Sequence, residues 1–321
     1  MGVSHRKPLG GVAAGPVFAL LALFAFLAVP PALAGAGVQL AGVSYRQGYL
    51  DGDGQFVGGG HYYGQLTPLQ QEVYQKVLKE VCRFGDGFSV GQAGWKDLWA
   101  AYLAVYYDHE EIWWIGRRCS FRPETGVHPG YLCFFWEYSP KQAAIDAVVS
   151  RALSGCPDGD DYDKLQYVYR WLVDHVEYKA GDYSSSIYSV FAQGESVCSG
   201  YARGMMYLLS KLGVESIYTL GYIGGEDPGY HAWCLVKLGD GWYHSDPTWG
   251  EPENGDGDVD WKYLACTDNF INIMHNGGSI ETVFLPDSSE VPTCYPSADR
   301  MYLSKEQEAL LLDMWRDDLG L

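Results

Sequence analysis

Three side chains able to act together lie within residues 194–249: Cys198, His231 and Asp246. A thiol, an imidazole and a carboxylate in that chain order supply a nucleophile, a general base and a group that orients the base. The chemistry open to such a set is acyl transfer. A thiolate attacks an amide carbonyl, amine or ammonia leaves, and the thioester passes to an acceptor. A lysine amine as acceptor would make a cross-linking enzyme; water would make a peptidase or amidase.

Each residue alone has an ordinary structural reading, so the elements that position them carry the argument. Ala202, Met205, Leu209 and Leu212 recur on one helical stripe, with Lys211 in the last turn and Gly213 as the stop. The spacing predicts a helix with Cys198 in its first turn, where unpaired N–H groups and the positive end of the helix dipole favour a thiolate. His231–Leu238 has strand composition, Gly239, Asp240 and Gly241 form a turn, and Trp242–Asp246 continues as a second strand that ends at Pro247. With Gly239-Asp240 as the loop, His231 lies opposite Thr248 and Asp246 is its diagonal neighbour. With Asp240-Gly241 as the loop the register shifts, yet His231 and Asp246 still share a face. The diagonal is within hydrogen-bonding reach in the first register, or where the strand ends bend.

An oxyanion would lie near the Cys198 N–H and one further donor, for which Tyr188 is a candidate. Tyr230 and Trp249 flank the three residues and could exclude water, which would favour an amine acceptor.

The strings VCSGYA (197–202), HAW (231–233) and WYHSDPTW (242–249) resemble the core motifs of the transglutaminase-like superfamily. Its papain-like fold carries Cys, His and Asp in that order. The resemblance implies an α+β architecture in which a nucleophile helix packs on an antiparallel sheet, with Cys198 as nucleophile, His231 as base and Asp246 as third member. It extends through YDKLQYVYRWLVDHVEYK (162–179), and more faintly through residues 67–78 and 101–115. Residues 261–264 and 267–270 resemble the closing strand and loop, and the bacterial secreted members are the nearest in character. The chain departs from the pattern at Cys234, where asparagine is expected after HAW.

Length and composition allow one large or two modest domains: 321 residues, 47% of them hydrophobic. The formal charge is −18, and removing residues 1–34 deletes Arg6 and Lys7 but no acid. Such an acidic surface argues against nucleic acid or anionic lipid as partner and leaves a protein or peptide substrate. Residues 1–34 read as a signal peptide: a basic start, an apolar run over Val17–Val29 and a small-residue cleavage site at Ala32-Leu33-Ala34. The run is short for a membrane span, so membrane association follows only if this segment stays uncleaved. The expected location is therefore secreted or cell-envelope associated.

Eight cysteines in an exported chain invite disulfides. Cys119 with Cys133, across a turn at Pro129-Gly130, and Cys266 with Cys294 are the pairs considered; Cys234 is expected to be a buried free thiol. No pair has metal-site spacing, and the site calls for no cofactor.

In chain order, residues 35–157 form an expected accessory region, 158–300 the catalytic domain and 301–321 a C-terminal helix. Thr67-Pro68 opens one helix, Trp95–Tyr107 forms a second, and Ala143–Leu153 and Asp163–Val176 form two more. Ile112–Ser120 and Tyr131–Tyr138 read as strands around a loop at Pro123–Gly130. The acidic cluster around His109 lacks the second histidine of a helix-borne metal site. The DGDG at 51–54 and the acidic, glycine-rich 251–260 read as solvated turns. His175 and His275 read as structural, and residues 183–188 as a stretch leading to the nucleophile helix.

Overall fold

Thr67 starts the first helix by a reciprocal cap: its hydroxyl accepts the Gln70 N–H at 3.3 Å, and its own N–H donates to Gln70 Oε1 at 3.0 Å. Pro68 follows at the first helical position, where its missing N–H costs nothing. The helix, α1 (Pro68–Cys82), buries Val73, Val77 and Val81 against α2 (Trp95–Asp108). The computed structural model describes residues 60–122, 126–223, 229–251, 258–274, 283–284, 290–291, 295–300 and 302. The readings made for residues 1–34, the DGDG turn, residues 252–257, His275, Cys294 and the helix at 304–315 lie outside these described residues.

Strands β1 (Ile115–Arg122) and β2 (Gly126–Tyr131) pair antiparallel, with Cys119 opposite Pro129. The last described pair of the hairpin is Arg122–Gly126, and Pro129-Gly130 lie inside a strand. This corrects the expected turn and the disulfide built on it: Cys119 and Cys133 are both free thiols. Helix α3 (Phe135–Ser154) starts earlier than its apolar spacing suggests, because Glu137 accepts the Phe134 N–H at 2.8 Å. Pro140 is tolerated in the second turn, where it removes a single intrahelical bond.

Gly155 ends α3 and Asp160 caps α4 (Asp161–His175), accepting the N–H groups of Tyr162 and Asp163. His175 closes α4 with Nδ1–H donating to the Trp171 carbonyl at 2.8 Å, its ring stacked on Trp171. Two short parallel strands follow, β3 (Glu177–Tyr178) and β4 (Glu195–Ser196), separated by a π-helical turn at Ser189–Gln193. Gly194, at φ +69°, closes that turn in a conformation that favours glycine. Next comes α5 (Cys198–Lys211), then a three-stranded antiparallel sheet of β5 (Ser216–Ile223), β6 (Gly229–Leu238) and β7 (Gly241–Ser245), with β6 central. Helix α6 (Asp268–Met274) and the two-residue strands β8 (Val283–Phe284) and β9 (Glu290–Val291) complete the described elements.

The architecture is α+β, and α5 packs on the β5–β6 sheet and against α4. Tyr201, Met205, Leu208 and Leu209 are fully buried there. Arg203 of α5 is buried too, and its guanidinium donates to the carbonyls of Tyr106, His109, Glu110 and Ile112 at 2.6–3.3 Å. It thereby ties α5 to the C-terminal end of α2, where helix carbonyls lack intrahelical donors. His109 of the acidic cluster is also engaged, with Nδ1 2.8 Å from Glu111 and Nε2 2.9 Å from the Tyr74 hydroxyl.

Candidate active site

Cys198 is the first residue of α5, preceded by Val197, which makes no side-chain cap. The close fit around this turn explains the glycine of VCSGYA. A Cβ on Gly200 would stand 1.8 Å from Ser196 Oγ and 2.8 Å from the Ser184 carbonyl oxygen. The approach of the 184–196 chain to the helix start therefore requires a residue without a side chain. Ser196 Oγ donates to that same carbonyl at 2.6 Å, and the Val197 N–H donates to it at 3.0 Å.

The hairpin adopts the register with Gly239-Asp240 as loop: Leu238 pairs with Gly241, and Gly239 takes φ +60°. Pairing ends at Cys234–Ser245, so the chain leaves the sheet at Asp246. Asp246 then caps a 3-10 turn at Pro247–Gly250. Its Oδ1 accepts the Thr248 N–H at 3.1 Å, its backbone N–H donates to Tyr263, and the Tyr169 hydroxyl donates to its carbonyl at 3.2 Å. With one carboxylate oxygen so occupied, Oδ2 accepts the His231 Nε2–H at 2.7 Å. Both side chains are buried.

Nε2 is committed to Asp246, which leaves Nδ1 for the thiol of Cys198, to which His231 is hydrogen-bonded. Burial by itself would raise the Cys198 thiol. The bond to His231, the imidazolium charge and the Ala232 N–H overcome burial and the repulsion from Asp246, so the thiol sits below its ordinary value. For His231, burial lowers the pKa, but the charge and hydrogen bond of Asp246, followed by those of Cys198, raise it to about 10. The arrangement favours a thiolate–imidazolium pair at neutral pH.

The aromatic residues divide. Trp249 is half-buried with its ring 5.8 Å from that of His231. Tyr230 is 63% exposed and packs edge-on against Tyr222, so it is turned to the surface. Tyr188 stacks on Trp113, contacts Tyr183 and lies under the Lys141 ammonium. The phenol that meets the Cys198 backbone N–H belongs to Tyr178, on strand β3 beside β4. Sequence reasoning missed Tyr178, because only the parallel pairing of two two-residue strands brings it to the helix start. Cys234 is fully buried, and its thiol donates to the Ala202 carbonyl of α5 at 3.2 Å. At the position where asparagine is expected, the cysteine thus supplies a link from sheet to helix.

Residues 151–247 match the family model of the Transglutaminase-like superfamily, a span that contains Cys198, His231 and Asp246. Two solved structures are similar in part. One is a candidate cysteine protease from Cytophaga hutchinsonii, 24% identical, with a TM-score of 0.30, covering 35% of this chain and 40% of that one. The other is a TGase, 14% identical, with a TM-score of 0.32, covering 56% of this chain and 47% of that one. The chain thus spans less than half the length of either. No curated protein matches it.

Proposed function

We propose that this chain is an exported, cysteine-dependent acyl-transfer enzyme acting on amide bonds of protein or peptide substrates. The observation that carries the reading is one line of contacts: Cys198 at a helix start, paired with His231, whose far nitrogen is held at 2.7 Å by a buried Asp246. In the proposed cycle the Cys198 thiolate adds to an amide carbonyl, and the oxyanion takes the Cys198 N–H as one donor. His231, charged by the thiol proton, returns that proton to the leaving amine, and Asp246 stabilises the charged ring meanwhile. The thioester then passes to an amine or to water.

The half-buried Trp249 against His231 supports an amine acceptor, since a covered imidazole delivers fewer waters to the thioester. Trp249→Ala should raise hydrolysis relative to amine incorporation on a glutamine-containing peptide; an unchanged ratio would remove this part of the proposal.

The test of the function is iodoacetamide trapping across pH, read by peptide mass spectrometry on wild type and His231→Ala. Cys198 should alkylate well below a free thiol's pKa of about 8.5, and His231→Ala should abolish that reactivity. An inert Cys198 in both proteins would refute the enzyme and favour a binding module that keeps its partner in Cys198→Ala. Export is tested separately: the mature protein should begin near Gly35, and N-terminal sequencing that recovers Met1 would refute cleavage.

A further inference from the structure

A second histidine–aspartate pair, its histidine buried and its aspartate half-buried, lies beside the first, joined to it by one indole. Trp233 is two residues from His231 on β6 and therefore on the same face. It is buried, and its ring lies over the imidazole, centroids 5.8 Å apart and planes within 24°. Its Nε1–H donates to His244 Nδ1 at 2.8 Å. That bond places the proton of a neutral His244 on Nε2, which donates to Asp268 Oδ1 at 2.8 Å. Asp268 opens α6, and its Oδ2 accepts the Ala298 N–H at 3.1 Å and the Ser297 hydroxyl at 3.3 Å. The His244 backbone is fixed as well, exchanging two hydrogen bonds with Cys266 at 2.7 and 2.8 Å.

A buried indole could be packed by an apolar neighbour. Here it is anchored by a fully buried polar side chain, which is costly unless every member of the chain is satisfied. The consequence lies in the ring of His231. Its bonds to Asp246 and to Cys198 both run in the imidazole plane, so rotation about Cβ–Cγ breaks both together. A flat ring held parallel to that plane resists the rotation, and the hydrogen bond to His244 stops the indole from turning with it.

We propose that Trp233, His244 and Asp268 form a positioning relay that holds the plane of His231 in line with Cys198 and Asp246. The proposal rests on the reading of those three residues as the acyl-transfer site. His244 and Asp268 touch none of the reacting atoms; they act through Trp233. The charged groups facing His231 itself are Asp246 and Cys198.

The experiment is the rate of Cys198 alkylation by iodoacetamide against pH in the full-length protein, with the fold of each variant checked by circular dichroism. His244→Phe removes both bonds of the relay. His244→Gln preserves them, since its carbonyl can accept from the indole and its amide can donate to Asp268. Below the thiol pKa, His244→Phe should alkylate about tenfold more slowly, as an upward shift of about one pKa unit requires, with its pH midpoint displaced upward. His244→Gln should stay within about twofold of wild type, a difference under half a unit. Asp268→Asn, a milder change, should give an intermediate displacement and serves if His244→Phe does not fold. The Trp233 indole N–H, followed by hydrogen exchange, should be protected in wild type and His244→Gln and lose protection in His244→Phe. If wild type shows the depressed midpoint and both His244→Phe and Asp268→Asn keep it, the relay is refuted while the acyl-transfer reading stands. If wild-type Cys198 has no depressed midpoint, both fall.

Discussion

Replacing Asp246 by asparagine isolates the charge of its carboxylate while keeping its shape. Oδ1 can still accept the Thr248 N–H, so the amide –NH2 takes the place of Oδ2, 2.7 Å from His231 Nε2. An amide N–H must donate there, so the ring has to present a bare Nε2 and carry its proton on Nδ1, beside Cys198. In that tautomer His231 cannot take the thiol proton. The lost charge acts in the same direction. The rise of His231 from 6.5 to about 10 corresponds to about 5 kcal/mol in favour of the imidazolium, shared between Asp246 and Cys198. Losing even half of that share weakens the thiolate–imidazolium pair by about 2 kcal/mol or more. We expect Asp246→Asn to alkylate with iodoacetamide at pH 7 about 100-fold more slowly than wild type, with the midpoint moved toward an ordinary thiol near 8.5. The assay is the pseudo-first-order rate of Cys198 carbamidomethylation between pH 4 and 10, read by mass spectrometry on protein whose fold is confirmed. A rate and a midpoint both unchanged would show that Asp246 does not set the protonation of His231, and the reasoning from the 2.7 Å contact would fail.

Other changes test the scaffold. Gly200→Ala puts a methyl against Ser196 and the Ser184 carbonyl, so it should cost about 1–3 kcal/mol in denaturant titration and slow Cys198 alkylation as the helix start shifts. Arg203→Met leaves the carbonyls of Tyr106, His109, Glu110 and Ile112 without their donor, and about 3–5 kcal/mol of stability should be lost in the same titration. Because His231 has a folded pKa raised to about 10, its contribution to stability is complete below its unfolded value near 6.5 and disappears as pH rises through about 10. Melting temperature should therefore fall between pH 7 and 10 more steeply in wild type than in His231→Gln; parallel curves would contradict the raised pKa. The Tyr178 hydroxyl occupies the Cys198 N–H, the donor proposed for the oxyanion, so Tyr178→Phe should speed acylation by an activated ester relative to alkylation by iodoacetamide, which forms no oxyanion.

The sequence by itself determined the local parts of this protein. Apolar spacing after Cys198 marked α5, and the structure starts that helix at the cysteine, because a stripe that buries Ala202, Met205 and Leu209 admits one helical phase. Alternation in the hairpin put His231 and Asp246 on one face in either register. The positive φ that Gly239 supplies goes with the register in which they meet. Thr67 and Pro68 announced α1 by short-range capping. What the tertiary structure decided lies across long separations. Tyr178 reaches Cys198 through the pairing of β3 with β4, Arg203 finds carbonyls of a helix nearly a hundred residues earlier, and His244 joins Trp233 to Asp268. The β1–β2 turn was misplaced because Pro129-Gly130 has turn chemistry, yet strand pairing absorbs it. Caps, periodicity and alternation are energies of neighbouring residues and can be read along the chain. A buried hydrogen bond between distant segments exists only once packing has excluded water from both partners, so no local pattern encodes it.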